Sequence, residues 1–210
     1  MSNADHKADL ILASASPRRV ELIQRTLGLA CRVLPAGVEE AEEEAFVGDP
    51  QGLVNHNARL KAEWVASRHP QAWVLAADTT VALDGRIFNK PVDMAEAKAM
   101  LRTLSGRTHT VYTAVVIKRH ASGHDASTVV ASGVRFKPLD DATIDAYFDR
   151  VNPLDKAGAY GIQEASEMII AGHTGSWTNI MGLPVEWVEE ALRKRGLWEP
   201  LVARSPISGG

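Results

Sequence analysis

Two serines, a proline and two adjacent arginines stand between an apolar run and the opening of a helix in the stretch LASASPRR, residues 12–19. Ser14 and Ser16 lie where a strand gives way to a helix, and Pro17 suits a first helical position, where its missing N–H costs nothing. Gly28 closes that helix. The free amides and positive dipole end of such an N-terminus attract phosphate, and neighbouring hydroxyls add donors. Arg18 and Arg19 in a first turn are unfavourable unless an anion neutralises them, and their forked donors match phosphate oxygens bidentately. The chemistry that accounts for all of these residues is polyphosphate binding. Ser16 as an N-cap ahead of two exposed arginines is the plainer alternative, and this stretch alone leaves it open.

Phosphoryl chemistry also needs a metal or an equivalent charge. Magnesium is held by one or two carboxylates together with substrate oxygens, so no dedicated cage is required. Asp78 and one acid of the Glu39-Glu40 pair are candidates for that role, and Lys61 and Lys90 are candidates for neutralising phosphate charge as it shifts in the transition state. Asp78 ends the apolar run 73–77, the place where open α/β sheets present groups to ligands. Asp84-Gly85 between β-rich flanks signals a two-residue hairpin turn. Such a turn sets Leu83 against Arg86, Val81 against Phe88 and Thr79 against Lys90, which brings Asp78 and Lys90 together at the open end of the ribbon. An ideal ladder would send Asp78 to the other face, so a bulge or strand end is expected there. Asp78 as a turn cap and Lys90 as a surface cation are the alternatives.

The elements that must position these groups alternate along the whole chain. Strand patterns cover residues 9–13, 31–35, 73–77, 110–118, 128–137 and 167–171, and helices begin near Pro17, Asp49, Asp93, Asp140 and Pro184. Asp49 is followed by Pro50, and Asp93 with Glu96 makes a capping-box pattern. The helix from 50 to 69 carries Lys61. No internal repeat or long linker divides the 210 residues, so one α/β domain is expected, with its core at about 9–196 and a loose tail at 205–210. A hydrophobic content of 45% is enough to bury a core without disulfides. Cys31 has no partner cysteine, which excludes a disulfide framework and favours a reducing, cytoplasmic setting. No apolar run approaches a membrane span. The net charge of −3 and pI near 6.2 give no general attraction to nucleic acid. The acidic stretch 39–44 reads as a solvated loop or helix start of which one member does chemistry.

These residues resemble the Maf family of nucleoside triphosphate pyrophosphatases. The resemblance is carried by LASASPRR (12–19) with Glu21, ADT (77–79), NKP (89–91), LSGRTH (104–109), DKAGAYGIQ (155–163) and GLP (182–184), and spans roughly 9 to 193. It implies a mixed α/β fold with an elongated central sheet, flanking helices and a deep cleft, usually in a homodimer. The implied reaction cleaves a nucleoside triphosphate between the α and β phosphates, giving a monophosphate and pyrophosphate, with Mg2+ or Mn2+ as cofactor. Carried over by motif, Ser14, Arg18 and Arg19 contact substrate phosphates, and Lys61 and Lys90 help neutralise them. Glu40 and Asp78 handle metal and water, with Asp78 as proton acceptor or chiefly as metal ligand. The stretch 155–163 is similar to the subgroup acting on dTTP and UTP, in which Arg19, Thr79 and Gln163 influence selectivity. A glutamine amide both donates and accepts, which suits the paired carbonyl and N–H edge of thymine or uracil. The alternatives are preference for 7-methyl-GTP, as in the sister subgroup, and a non-catalytic nucleotide-binding regulator of septum formation. The chain departs from the family after Gln163, where glycine-rich sequence is usual and Glu164-Ala165-Ser166 stands here, and again at GHTGSW (172–177). These changes bear on base range more than on the reaction.

Of the remaining candidates, His109 has no metal-spaced partner and reads as structural. Lys156 either reaches phosphate or pairs with Asp155. Trp64, Trp73, Trp177 and Trp187 read as core or subunit-contact residues, and Cys31 as a buried small hydrophobe.

Overall fold

Three buried residues, Leu10–Leu12, suffice for the first strand (β1), because it has a parallel partner on each side. The computed structural model describes residues 9–197. The partners are β2 (Arg32–Val33) and β3 (Trp73–Leu83), and the sheet continues with β4 (Arg86–Phe88), β5 (Thr108–Arg119), β6 (His124–Phe136) and β7 (Ile170–Thr174). Its order is β2-β1-β3-β5-β6-β7, with β4 pairing β3, and all pairs beyond β1 and its neighbours are antiparallel. The fold is the mixed α/β class expected from the alternating patterns.

The hairpin turn forms as read: Asp84 (φ 51) and Gly85 (φ 79) both take left-handed conformations, and Leu83 pairs with Arg86 and Val81 with Phe88. The further Thr79–Lys90 pair does not form. β4 ends at Phe88, since the Asn89 side chain accepts the Thr80 hydroxyl (2.9 Å), its carbonyl accepts the Gly158 N–H (3.1 Å), and Pro91 has no N–H to continue a ladder. The bulge or strand end expected at Asp78 is also absent. β3 runs unbroken past it, paired residue by residue with β5 from Val74–Lys118 to Ala82–Thr110. The continuous ladder on the β5 side carries an aspartate that the apolar pattern of 73–77 excluded.

The opposite edge of β3 is interrupted. β1 pairs with Trp73 to Leu75 and β4 with Val81 to Leu83, so residues 76–80 have no strand on that side among the described residues. The chain leaves β1 with the Ala13 N–H donating to the Leu75 carbonyl (2.8 Å), beside this opening, and enters helix α1 (Pro17–Glu21), which continues as a π-helical turn, Leu22–Thr26.

Helices α2 (Pro50–Arg68), α3 (Met94–Leu104) and α4 (Asp141–Phe148) start where Asp49, Asp93 and Asp140 accept the N–H of Gly52, Glu96 and Thr143, each at 2.8 Å. Two one-turn helices, α5 (Ser166–Ile169) and α6 (Trp177–Ile180), precede α7 (Val185–Arg193). The strand expected at 167–171 is displaced to begin at Ile170. The carbonyls of Ile169 and Glu167 are taken instead by the Lys137 N–H (2.8 Å) and ammonium (2.5 Å), and the segment winds into α5. The strand expected at 31–35 shrinks to two exposed residues, and Cys31 is half-buried rather than buried. The tail at 205–210 lies outside the described residues.

Strand alternation divides the core. Val74, Ala76, Ala114 and Val116 pack under Val54, Ala58, Ala62 and Val65 of α2. Leu75, Ala77, Val115 and Ile117 pack under Val188, Ala191 and Leu192 of α7. A third cluster joins Phe88, Leu101, Phe136 and Tyr147 beneath α3 and α4. Among the described residues no helix is long and apolar enough to cross a membrane.

Candidate active site

Asp78 shares a strand face with Ala76, the face that α2 covers. One helical turn separates Asn57 from Lys61 on α2, so both project toward the same place. The Lys61 ammonium lies 2.7 Å from Asp78 Oδ1 and 2.5 Å from Glu40 Oε2, joining two acids 38 positions apart in sequence through one cation. Asn57 fixes the loop that brings Glu40 in: its amide oxygen accepts the Ala41 N–H (2.8 Å) and its amide nitrogen donates to the Ala41 carbonyl (3.1 Å). Glu39, the other candidate of the acidic run, is exposed and outside this contact.

The two carboxyls are driven apart electrostatically. Burial raises the Asp78 carboxyl above the ordinary aspartate range against the opposing pull of Lys61 and Arg19, and Glu40 adds to the rise. Burial also works upward on Glu40, but Lys61, a hydrogen bond with Asp78 and the charge of Lys90 together hold it below its usual range. A proton on this pair therefore resides on Asp78.

Arg19 approaches from the other side of the open β3 edge. It is 9% exposed, and its guanidinium donates to the Gly182 carbonyl (2.8 Å), Ser14 Oγ (3.2 Å) and Thr79 Oγ1 (2.9 Å). Burial lowers its pKa, while the charges of Asp78 and Glu40 act to keep it protonated. Gly182 has φ +108, a conformation L side chains rarely adopt, and this backbone turn, which glycine permits, aims its carbonyl at Arg19 Nε. Arg18 points instead to the loop before α5, 3.6 Å from Asp155 Oδ2 and 3.8 Å from Glu164 Oε1. Ser16 occupies the N-cap position of α1, yet its side chain makes no capping bond.

The site thus gathers Ser14, Arg19, Thr79, Asp78, Lys61 and Glu40, with Arg18 at its margin. Gln163 is exposed and directly precedes Glu164, whose carboxylate lies 3.8 Å from Arg18. Lys90 makes no ion pair with Asp78 among the described contacts, contrary to the ribbon argument; Lys61 takes that place, and Lys90 acts on Glu40 through charge. Lys156 is paired: its ammonium is held by the Asn152 carbonyl (2.8 Å), Asp155 (2.7 Å) and Glu164 (3.3 Å). Ala165, within the stretch 164–166, takes a left-handed backbone (φ 47). Trp177 is 40% exposed and packs against His173. Sequence reasoning missed Asn57, whose signal was an amide four residues before Lys61 on a helix face otherwise apolar. It also missed Thr113 and Asn179, which carry no local signal.

The molecule is an α/β protein that gathers an acid–lysine–arginine cluster at the open edge of β3. The fold is that of a solved structure titled "The structure of the Staphylococcus aureus Ham1 protein", with TM-score 0.53 at 14% identity over 89% of this chain and 99% of that one. A family model described as Maf-like protein matches residues 9–195, and the chain belongs to the Maf family. Its relatives include proteins named dTTP/UTP pyrophosphatase from Myxococcus xanthus (strain DK1622), 46% identical over 93% of this chain and 96% of the relative, and Moorella thermoacetica (strain ATCC 39073 / JCM 9320), 44% identical over 87% and 93%. Another of that name, from Thermotoga maritima (strain ATCC 43589 / DSM 3109 / JCM 10099 / NBRC 100826 / MSB8), is 38% identical over 96% of each chain.

Proposed function

We propose that this chain is a pyrophosphatase of dTTP and UTP, hydrolysing the link between the α and β phosphates. The observation that carries the reading is the Glu40–Lys61–Asp78 contact facing Arg19 across the open edge of β3. Family membership and the names of its relatives supply the substrate class.

In this reading Arg19, Ser14 and Arg18 bind phosphate oxygens, and Lys61 and Lys90 offset their charge. Asp78, the carboxyl with the greater proton affinity of the pair, accepts a proton from water as the water oxygen bonds to phosphorus and the bridging P–O bond breaks. Pyrophosphate leaves with the bridging electron pair. Glu40 and Asp78 offer the hard oxygen donors that Mg2+ or Mn2+ takes. No group of three or more His, Cys, Asp or Glu side chains suited to a metal forms among the described residues, so the pair suits a cation that completes its shell with phosphate oxygens and water. When bound, the cation would withdraw charge from the phosphate oxygens. Gln163 presents its amide to the pyrimidine edge, with Arg19 and Thr79 setting the approach. The reading extends to a single-domain chain acting as a homodimer. A lone cysteine is in keeping with a cytoplasmic setting.

The test is pyrophosphate release from a nucleotide panel with Mg2+ or Mn2+. The expected result is preference for dTTP and UTP and a fall of about 10³-fold or more in Asp78→Asn, within the usual reach of a general base and an associated charge. Equal rates in the variant would remove Asp78 from the reaction. Light scattering of the purified protein checks the dimer.

A further inference from the structure

Arg19 is gripped at two points of one closed hydrogen-bonded ring. Its Nε donates to the Gly182 carbonyl (2.8 Å) and a terminal nitrogen donates to Thr79 Oγ1 (2.9 Å). Thr79 Oγ1 meets Thr113 Oγ1 (2.9 Å), directly opposite on β5, and the Thr113 hydroxyl donates to the Asn179 carbonyl (3.0 Å). The Gly182 N–H donates to that same carbonyl (2.9 Å) and closes the ring.

The hydrogens in this ring have one consistent order. A guanidinium only donates, a carbonyl only accepts, and each hydroxyl carries a single hydrogen. Thr113 gives its hydrogen to Asn179, so Thr79 gives its own to Thr113, which leaves a Thr79 lone pair for Arg19. Thr113 and Asn179 are both 0% exposed, so bulk water cannot replace a missing member. The far end is anchored as well: the Asn179 amide nitrogen donates to the Val111 carbonyl (3.2 Å) and to Ser132 Oγ (3.0 Å), tying α6 to β5 and β6.

We infer that Thr113 is a positioning residue for Arg19: through the Thr79 hydroxyl it fixes the plane of the guanidinium that faces the substrate. Of the five N–H groups of Arg19, three are held by Gly182, Ser14 and Thr79, and the remaining two are presented in a single orientation. What they meet, a nucleoside triphosphate, rests on the function proposed above; the ring itself does not.

Thr113→Val keeps the shape and removes the hydroxyl, Thr113→Ser keeps the hydroxyl, and Thr113→Ala serves as a second hydroxyl-free variant if valine fails to fold. In the 15N-labelled free protein the Arg19 Nε–H should exchange slowly in the wild type, about tenfold faster or more in Thr113→Val, and slowly again in Thr113→Ser. In catalysis, Thr113→Val should lower kcat/KM for dTTP by about tenfold with rescue by serine, yet change it less than about twofold in an Arg19→Lys background, because the two residues act as one unit. Unchanged Arg19 exchange in Thr113→Val, or losses that simply multiply in the double variant, overturns the inference. Should the wild type release no pyrophosphate from dTTP or UTP, the functional reading falls, and the exchange measurement decides the ring alone.

Discussion

Asp78 and Glu40 are the same chemical group in unlike surroundings, and the difference assigns their roles. Asp78 is pressed into the sheet beneath α2 and holds its proton more tightly, whereas Glu40 reaches in from a loop and is kept ionised by Lys61. The residue types were legible in the sequence, and the resemblance singled out Glu40; spacing alone left Glu39 and Glu40 open, since the choice depends on how a loop is tied down. His109 shows what burial does to a residue with no part in the chemistry. It is 1% exposed among Phe136 and Tyr160, with Nε2 2.8 Å from the Tyr160 hydroxyl, and burial pushes its imidazole down to about 4. The unfolded chain binds that proton near 6.5. Stability contributed by neutral His109 is therefore complete above that value and is lost as pH falls toward about 4, a loss on the order of 3 kcal/mol. Thermal melts of His109→Gln should show a flatter dependence on pH across this window than the wild type. Parallel curves would mean that other groups govern acid sensitivity.

Among the elements, α2 does the most to assemble the site, because a single face of it carries apolar residues onto the sheet and the Lys61 side chain to the open edge of β3, with Asn57 one turn before it. Its start was readable from Asp49 and Pro50, since capping involves residues only a few positions apart. The contact of Lys61 with Asp78 was not readable, since it depends on where the helix crosses β3. For the same reason the ribbon argument chose Lys90: it followed hairpin register, the one long-range relation that a turn makes visible. Asn57→Asp tests the helix's hold on the Glu40 loop. A carboxylate still accepts the Ala41 N–H but repels the Ala41 carbonyl, at a cost of about 1–3 kcal/mol. Backbone exchange at Ala41 should quicken and kcat/KM should fall toward that of Glu40→Gln; an unaltered Ala41 amide would show that the loop is held elsewhere.

At the scale of the whole molecule, the alternation of strand and helix patterns was enough for the fold class. The strand order was not, because it joins β1 to β3 across residues 13–72 and leaves β4 as a short side partner. The cores on the two faces of the sheet divide the work. α7 seals one face through Leu192, which is fully buried, while the acids and Lys61 gather on the other. Leu192→Ala should therefore cost about 2–5 kcal/mol and lower Tm, while the rate per folded molecule stays close to that of the wild type. A parallel collapse of rate would mean that the faces are coupled. The interrupted edge of β3 has a consequence for how this chain can vary. β1 fixes the position of Leu75 and β4 that of Val81, so the five residues between them span about 16 Å and cannot slip. With both ends held, one added residue would have to bulge out of the β5 ladder; without a bulge, one added ahead of Asp78 would turn the carboxylate toward α7 and the Thr79 hydroxyl toward α2. The segment keeps both its pleat and its pairing only at its present length, a constraint that holds whatever side chains occupy it.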